Sequence, residues 1–380
     1  VFAWVVAVLA IGAWTVGWAW GQWSPSGIGW HFFADGAHSL LHGSHLHLYA
    51  DDPELQIGPL TFVLTAAFTW LPAATARAAA QVAMVAVGPL LVLWLAPVVA
   101  PERRLSRVLL AAVVVVPAWA VLAVRWAHAD DVLAMVFTVA AIRAVVARRP
   151  VWAGLALAAA VACKPWAVGF LPLLLVLDRG RRAALMAAAG ATLVVWAPFL
   201  VADGATLRAL RPTLPVSGDS GLRLMGYRGA FAPVWVRTAE MLAGPALALV
   251  AVARRRWAGL FVLVFAARLA IDPQDLPYYV GSAVLAAVVF DLLATRRLVP
   301  WVSLITLVVL WQPFVDDPST PLSATHGWAH WWFSHETAVA ASHVGWAVAI
   351  TALVLFAPDR WLTADQAGQD TADGVVAPAE

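Results

Sequence analysis

Long apolar runs, interrupted at short intervals by prolines and by pairs or triplets of arginine, set the pattern of this chain. They read as helices at about 2–21, 57–72, 80–100, 107–125, 131–147, 151–163, 165–178, 183–202, 233–253, 256–271, 277–294, 298–314 and 337–357. A perpendicular bilayer crossing takes roughly 20 residues, and several of these runs are shorter. Runs 151–163 and 165–178 read as a tight hairpin around Lys164-Pro165. Three connections are long: 22–56, 203–232 and 315–336. The first sets aromatics beside Asp and His, which predicts short amphipathic helices at the membrane–water interface. Residues 362–380 are polar and acidic and are expected to be a disordered cytoplasmic tail. The expected fold is all-α, a polytopic transmembrane helical bundle of about 12–13 helices over residues 1–361, with no internal repeat visible.

Composition sharpens this picture. Of 380 residues, 62% are hydrophobic and 12% charged, against roughly 25% charged in a soluble domain; mean hydropathy is +0.81. The class is therefore a multi-pass membrane protein. The net charge of +2 comes from arginines grouped between apolar runs, a topology signal rather than a nucleic-acid footprint. The single cysteine, Cys163, excludes a disulfide framework or a cysteine metal site within one chain. Many of the 22 tryptophans stand at run ends (Trp20, Trp70, Trp126, Trp257, Trp301), as an interfacial belt requires. The chain opens on Val1, so a short preceding piece is expected, and no cleavable signal pattern is seen.

The clusters Arg103/Arg104/Arg107, Arg148/Arg149, Arg179/Arg181/Arg182, Arg254/Arg255/Arg256 and Arg296/Arg297 are all expected on the cytoplasmic side. Counting passes from residue 101 then brings His128–Asp131, Lys164, loop 203–232, Asp272–Tyr279 and loop 315–336 together on the opposite face. Loop 22–56 joins them only if 57–72, 80–100 and 107–125 supply an even number of crossings. Either the run 57–72, short and bounded by Pro59 and Pro72, is re-entrant or interfacial, or the Arg103 cluster departs from the rule.

Candidate chemistry lies on that face. His128, Asp130 and Asp131 stand at one helix start, and Lys164 interrupts an apolar hairpin. Ionisable groups at membrane depth cost several kcal/mol unless they face a cavity or a partner, so they mark a polar site; the alternative for the acids is a water-exposed helix end. Loop 29–63 is rich in histidine, and His38 and His42 share a helical face followed by His45 and His47, a spacing that can ligate zinc or copper. No glutamate follows His38 in a zincin arrangement, and no metal or other cofactor is expected.

The order of motifs resembles a known family. In the first loop these are Phe32-Phe33, Leu40-Leu41-His42-Gly43, Leu48-Tyr49 and Gln56-Ile57-Gly58-Pro59-Leu60. Later come Ala127-His128-Ala129-Asp130, Arg148-Arg149, Ala153-Gly154-Leu155, Lys164-Pro165-Trp166 and Asp272-Pro273 with Tyr278-Tyr279. Together they resemble the C-type (GT-C) membrane glycosyltransferases, nearest to bacterial polyprenyl-phosphate-mannose-dependent α-mannosyltransferases, over roughly residues 1–300. The resemblance implies a GT-C-like fold in the bacterial inner membrane, a polyprenyl-phosphate sugar donor, a lipid or glycan acceptor, and a catalytic carboxylate in the first outer loop. The relatives carry an Asp just before the aromatic stretch, where this chain has Gly29; Asp35 is the sole carboxylate before residue 51.

Glycosyl transfer to a hydroxyl needs a base and cations or donors around the departing phosphate. Asp35 is the candidate base, with Asp51 and Asp52 as outside candidates. Lys164, Arg268 and Arg125 are candidate phosphate contacts. His128, Asp130 and Asp131 are candidates to orient acceptor or base. Asp272 stands four residues after Arg268, an ordinary helical pairing, and Tyr278 and Tyr279 read equally as belt aromatics or sugar-stacking residues. A transporter or lipid flippase, and a GT-C-like scaffold without activity, remain the alternatives; membrane lipids are partners in every reading and nucleic acid in none.

Overall fold

In the computed structural model of the protein, residues 2–23, 27–53, 55–210, 213–310 and 327–358 are described. The expected tail 362–380 and the first part of the loop 315–336 lie outside them. The described residues are helical and contain no strand, only an isolated antiparallel bridge between Pro215 and Phe231.

Helix α1 (Phe2–Gln22) leads into the first loop, which folds as α2 (Trp30–His42), a single 3₁₀ turn and α3 (Leu48–Asp51). Next come α4 (Pro59–Thr65), α5 (Ala73–Leu95), α6 (Arg104–Ala120) and α7 (Ala129–Val146). They are followed by α8 (Pro150–Cys163), a 3₁₀ segment (Pro165–Val176), α9 (Arg181–Ala202) and the short α10 (Gly221–Leu224). The chain continues through α11 (Val234–Ala253), α12 (Leu260–Ile271), α13 (Tyr279–Ala294), α14 (Trp301–Leu310), α15 (Gly327–Ser334) and α16 (Glu336–Phe356). Six stretches are long and apolar enough to cross a membrane: Phe2–Gln22, Ala73–Val98, Arg104–Arg125, Arg181–Ala202, Val234–Ala253 and Glu336–Phe356. Every residue of α13 is buried, which makes it the axis of the bundle. The outer helices α1, α9 and α11 turn apolar side chains away from the protein, Val16, Val194 and Leu242 among them. Such faces suit lipid, because in water they would be an aggregation liability.

The segment after Lys164 is not the α-helix that its hydrophobicity predicts. Pro165 and Pro172 each lack an amide hydrogen, and the twelve residues Pro165–Val176 wind as a 3₁₀ helix. A 3₁₀ rise of about 2.0 Å per residue carries them roughly 24 Å, where α geometry carries them about 18 Å. The short run still reaches the far end of the bundle.

Two ends can be defined from contacts. At one end the Arg clusters cap helix C-termini, where carbonyls are left unpaired and cations are favoured. Buried Arg107 donates to the carbonyls of Asp291, Leu292, Thr295 and Arg297 at 2.9, 3.0, 2.5 and 3.1 Å. Arg254 and Arg256 do the same for Leu355, Val354 and Ala357 below α16. At the other end, Ile28 and Gly29 donate backbone bonds to the carbonyls of Arg125 and Trp126, and Ser217 bonds to Pro273. The first loop, His128, loop 213–232 and the segment 272–278 therefore share one end, opposite the arginines.

The parity question bears on α4. Pro59–Phe68 is a ten-residue apolar stretch, about 15 Å at the α-helical rise and half a hydrocarbon core. It is too short for a perpendicular crossing, and Gly58 holds its start through an N–H bond to Cys163 O at 2.8 Å. The helix expected at 80–100 begins at Ala73, and α5 and α6 lie in the stretches Ala73–Val98 and Arg104–Arg125 that are long and apolar enough to cross.

Candidate functional site

The turn between α6 and α7 is built to present side chains. Helix α6 ends in a π turn, Val121–Arg125, a geometry that recurs at functional sites. Ala127 then takes a left-handed conformation, φ 50°, which sterically disfavours any residue with a Cβ. His128 follows, and Asp130 and Asp131 occupy the first turn of α7, both buried. Carboxylates are favoured there by the helix dipole, and Asp130 accepts the amide of Asp131 at 2.8 Å.

Lys164 approaches from the α8 end. Its backbone is extended (φ −141°, ψ 111°), and close packing of α4 fixes it: a Cβ on Gly58 would lie 2.0 Å from Ala162 O. The Lys164 ammonium is hydrogen-bonded to Asp130 Oδ2 and lies 3.3 Å from Asp131 Oδ2. His128 Nδ1 stands 3.4 Å from Asp130 and 3.6 Å from Asp131. Arg268, on the last turn of α12, bonds Asp272 at 3.3 Å and lies 4.0 Å from Asp131. Its guanidinium rests over the rings of Tyr279 (3.9 Å) and Trp166 (5.1 Å), contacts worth about 0.5–2 kcal/mol each. Tyr278 stacks on His128 with centroids 3.6 Å apart.

Eight residues singled out from sequence thus meet: His128, Asp130, Asp131, Lys164, Arg268, Asp272, Tyr278 and Tyr279. Asp35 does not join them. The buried stripe of α2 is Trp30, Phe33, Gly36 and Ala37, and Asp35, two residues past Phe33 and across the helix, is exposed. Arg125 also points elsewhere, to Gln22 at 3.4 Å. The loop histidines His38, His42, His45 and His47 are exposed; the rings of His38 and His42 lie 5.2 Å apart, but no group of three ligand atoms forms among them. Among the described residues only His128, Asp130 and Asp131 bring three ligand-type atoms together, and there the Lys164 ammonium already balances the acids.

The cluster opens into a cavity of about 650 Å³. Its floor is Asp130, Lys164, Arg268 and the His128–Tyr278 stack; α11 supplies Arg237, Glu240, Met241 and Leu242; Trp196 comes from α9. Helices α9 and α11 both pack on the 3₁₀ segment, so the cavity extends from a charged floor towards two helices with outward apolar faces. Sequence reasoning passed over Arg237 and Glu240, and it gave Gln56 and Trp166 a place in motifs but no role in the site. Arg237 donates to Glu240 Oε2 at 2.5 Å and to Gln56 Oε1 at 2.6 Å. The signal was present, because two charges inside the run 233–253 obey the rule that exposed Lys164.

Several polar atoms on this wall are buried without a hydrogen-bond partner: the donors Trp126 Nε1, Trp166 Nε1, Arg268 Nη1 and Arg237 Nε, and the acceptor Glu240 Oε1. An unsatisfied buried polar group costs about 1–3 kcal/mol, so this set needs bound water or a polar ligand to complete it. Comparison with protein-family models, curated proteins and solved structures finds no match to this chain.

Proposed function

We propose that the protein is an integral-membrane glycosyltransferase that moves a sugar, mannose by its resemblance to the polyprenyl-phosphate-mannose enzymes, from a polyprenyl-phosphate donor to a lipid or glycan acceptor. The observation that carries this reading is the cavity's polarity. Lys164 and four residues with an N–H lacking a hydrogen bond line it, beside Met241, Leu242 and Trp196 of the two helices with outward apolar faces, α9 and α11. A lipid phosphate has the same division, with an anion that takes charge-assisted bonds and a chain that stays in hydrocarbon. Trp126, Trp166 and Tyr278 offer flat apolar faces for a pyranose between the two.

In this reading Lys164 and Arg268 hold the phosphate and stabilise the charge that grows on it as the glycosyl bond breaks. Asp130 and Asp131 hold Lys164 in place, and Asp272 and Tyr279 hold Arg268. No nucleotide-sugar domain is needed, because the lipid phosphate is the leaving group. A transporter places its substrate near the bilayer midplane, whereas this cluster lies at the bundle end opposite the arginines. The cell-envelope side of the bacterial inner membrane is the location in which such a donor would be met. The test is transfer from radiolabelled polyprenyl-phosphate mannose in membranes, with labelled nucleotide-diphosphate mannose as the control donor. Transfer from the lipid donor that is lost in Arg268→Gln is expected. Direct use of the nucleotide sugar, or none of the lipid donor, would refute the reading.

A further inference from the structure

The geometry points to Glu240 of α11 as the base that takes the acceptor's proton, an assignment that rests on the glycosyltransferase reading. Transfer needs a carboxylate that touches the cavity and has a lone pair to spare, and the wall narrows the choice. Asp130 is bound by Lys164 and by the Asp131 amide. Asp272 does not line the cavity and accepts from Arg268 and from the Gln274 amide, at 3.3 and 2.9 Å. Asp52 lies on the wall but is exposed to water. Glu240 differs from all three. Its side chain is 9% exposed, its Oε2 is held by Arg237 at 2.5 Å, and its Oε1 is buried with no partner.

The arrangement is that of an oriented base: Gln56 fixes Arg237, Arg237 fixes one carboxylate oxygen, and the other oxygen is left for an incoming hydroxyl. A base held by a second group, itself held by a third, is how catalytic proton acceptors are kept in register. Gln56 belongs to the segment before α4, so the first loop shapes the site through it without supplying the carboxylate. In the transfer step the acceptor oxygen bonds to the anomeric carbon, and the bond from that carbon to the phosphate oxygen breaks, its electron pair leaving with the lipid phosphate. The hydroxyl proton passes to Glu240 Oε1 and is later released to water, which restores the carboxylate.

The experiment uses the full-length protein in lipid nanodiscs, with labelled polyprenyl-phosphate mannose as donor and n-octyl α-mannoside as surrogate acceptor, beside the acceptors of native membranes. Glu240→Gln keeps an oxygen for Arg237 and is expected to retain donor binding while transfer falls about 10²–10⁴-fold, the usual worth of a general base. The acid-side fall of kcat/KM in the wild type should vanish in this variant. Glu240→Asp, which keeps the carboxylate on a shorter stem, should transfer at an intermediate rate and retain the pH dependence; it serves also where Glu240→Gln fails to fold. Wild-type rates in Glu240→Gln overturn the assignment. So does a loss of transfer that tracks weaker donor binding with the pH profile unchanged, since that is a structural role. A wild-type protein that transfers label to neither the surrogate nor any membrane acceptor instead overturns the transferase reading, and Glu240's role with it.

Discussion

Removing the Lys164 ammonium while keeping the bulk of its side chain, as in Lys164→Met, tests the centre of the site. The ammonium sits against Asp130 Oδ2 and 3.3 Å from Asp131 Oδ2, all three side chains being at most 8% exposed. At an effective dielectric of about 20, one unit-charge pair at that separation is worth roughly 5 kcal/mol. Much of this offsets the cost of burying the charges. Loss of the cation leaves two buried carboxylates, with His128 and Arg268 as their remaining partners at 3.4–4.0 Å. Breaking one side of a buried pair costs about 3–5 kcal/mol, a large share of a total stability of about 5–15 kcal/mol. The double variant Lys164→Met/Asp130→Asn removes both charges of the tightest contact and should recover most of the loss, because replacing a whole buried pair is often neutral. Reversible unfolding in mixed detergent–SDS micelles measures both variants. If Lys164→Met is as stable as wild type, or if Asp130→Asn adds to its defect, the ammonium is not balancing these acids and the electrostatic account of the site is wrong.

Three further outcomes are expected. Ala127→Gly should hold or raise the melting temperature, since it relieves a left-handed residue (φ 50°) that costs about 1–2 kcal/mol; a clear fall would show that the Cβ is needed for packing. Asp219, in the loop before α10, has its carboxyl pushed up to about 6 by burial and by the neighbouring Asp275. A raised acid contributes stability that is present below its unfolded value and is lost as pH rises through about 6. Asp219→Asn should therefore flatten the thermal-stability profile between about pH 4 and 6, and an unchanged slope there would remove Asp219 from it. In a Cys163→Ala background, single cysteines at Arg228 and Ser106 should react with impermeant maleimide from opposite sides of sealed vesicles; labelling from one side would break the two-ended topology.

Much of the architecture was legible because charge is rare in this chain. Each arginine cluster marks one end of the bundle, and the structure gives the reason: Arg107, Arg254 and Arg256 satisfy carbonyls at helix C-termini. Asp130, Asp131 and Lys164 stood out for the complementary reason, as charges that an apolar run tolerates only with partners. Arg237 and Glu240 follow the same logic but stand three apart in the first two turns of α11, the look of an ordinary helix-end pair. Only packing against Gln56 turns them inward. Helix type was less legible than helix position. Hydrophobicity cannot separate 3₁₀ from α winding in Pro165–Val176, which follows the amides that Pro165 and Pro172 lack, nor foresee how short α4 is, whose start is held by a backbone bond from Gly58 to the distant Cys163.

Gly29 illustrates the same limit at the scale of one residue. The resemblance expects an acid near this position, and from sequence its absence reads as a damaged site. In the structure the Gly29 amide bonds to Trp126 O at 2.7 Å, and a Cβ there would lie 2.8 Å from that oxygen and 2.9 Å from the His128 ring. Any side chain at 29 would push the first loop off the α6–α7 turn, and with it His128, whose ring is stacked on Tyr278. The loop's contribution here is therefore a backbone that seats His128. Of the carboxylates that line the cavity, Asp130 and Glu240 come instead from α7 and α11, and the first loop adds only the exposed Asp52. A protein arranged in this way can dispense with an acid at 29 without losing the chemistry that an acid performs, provided that another carboxylate reaches the acceptor. Glu240, with one oxygen anchored and the other free, is the group placed to do so.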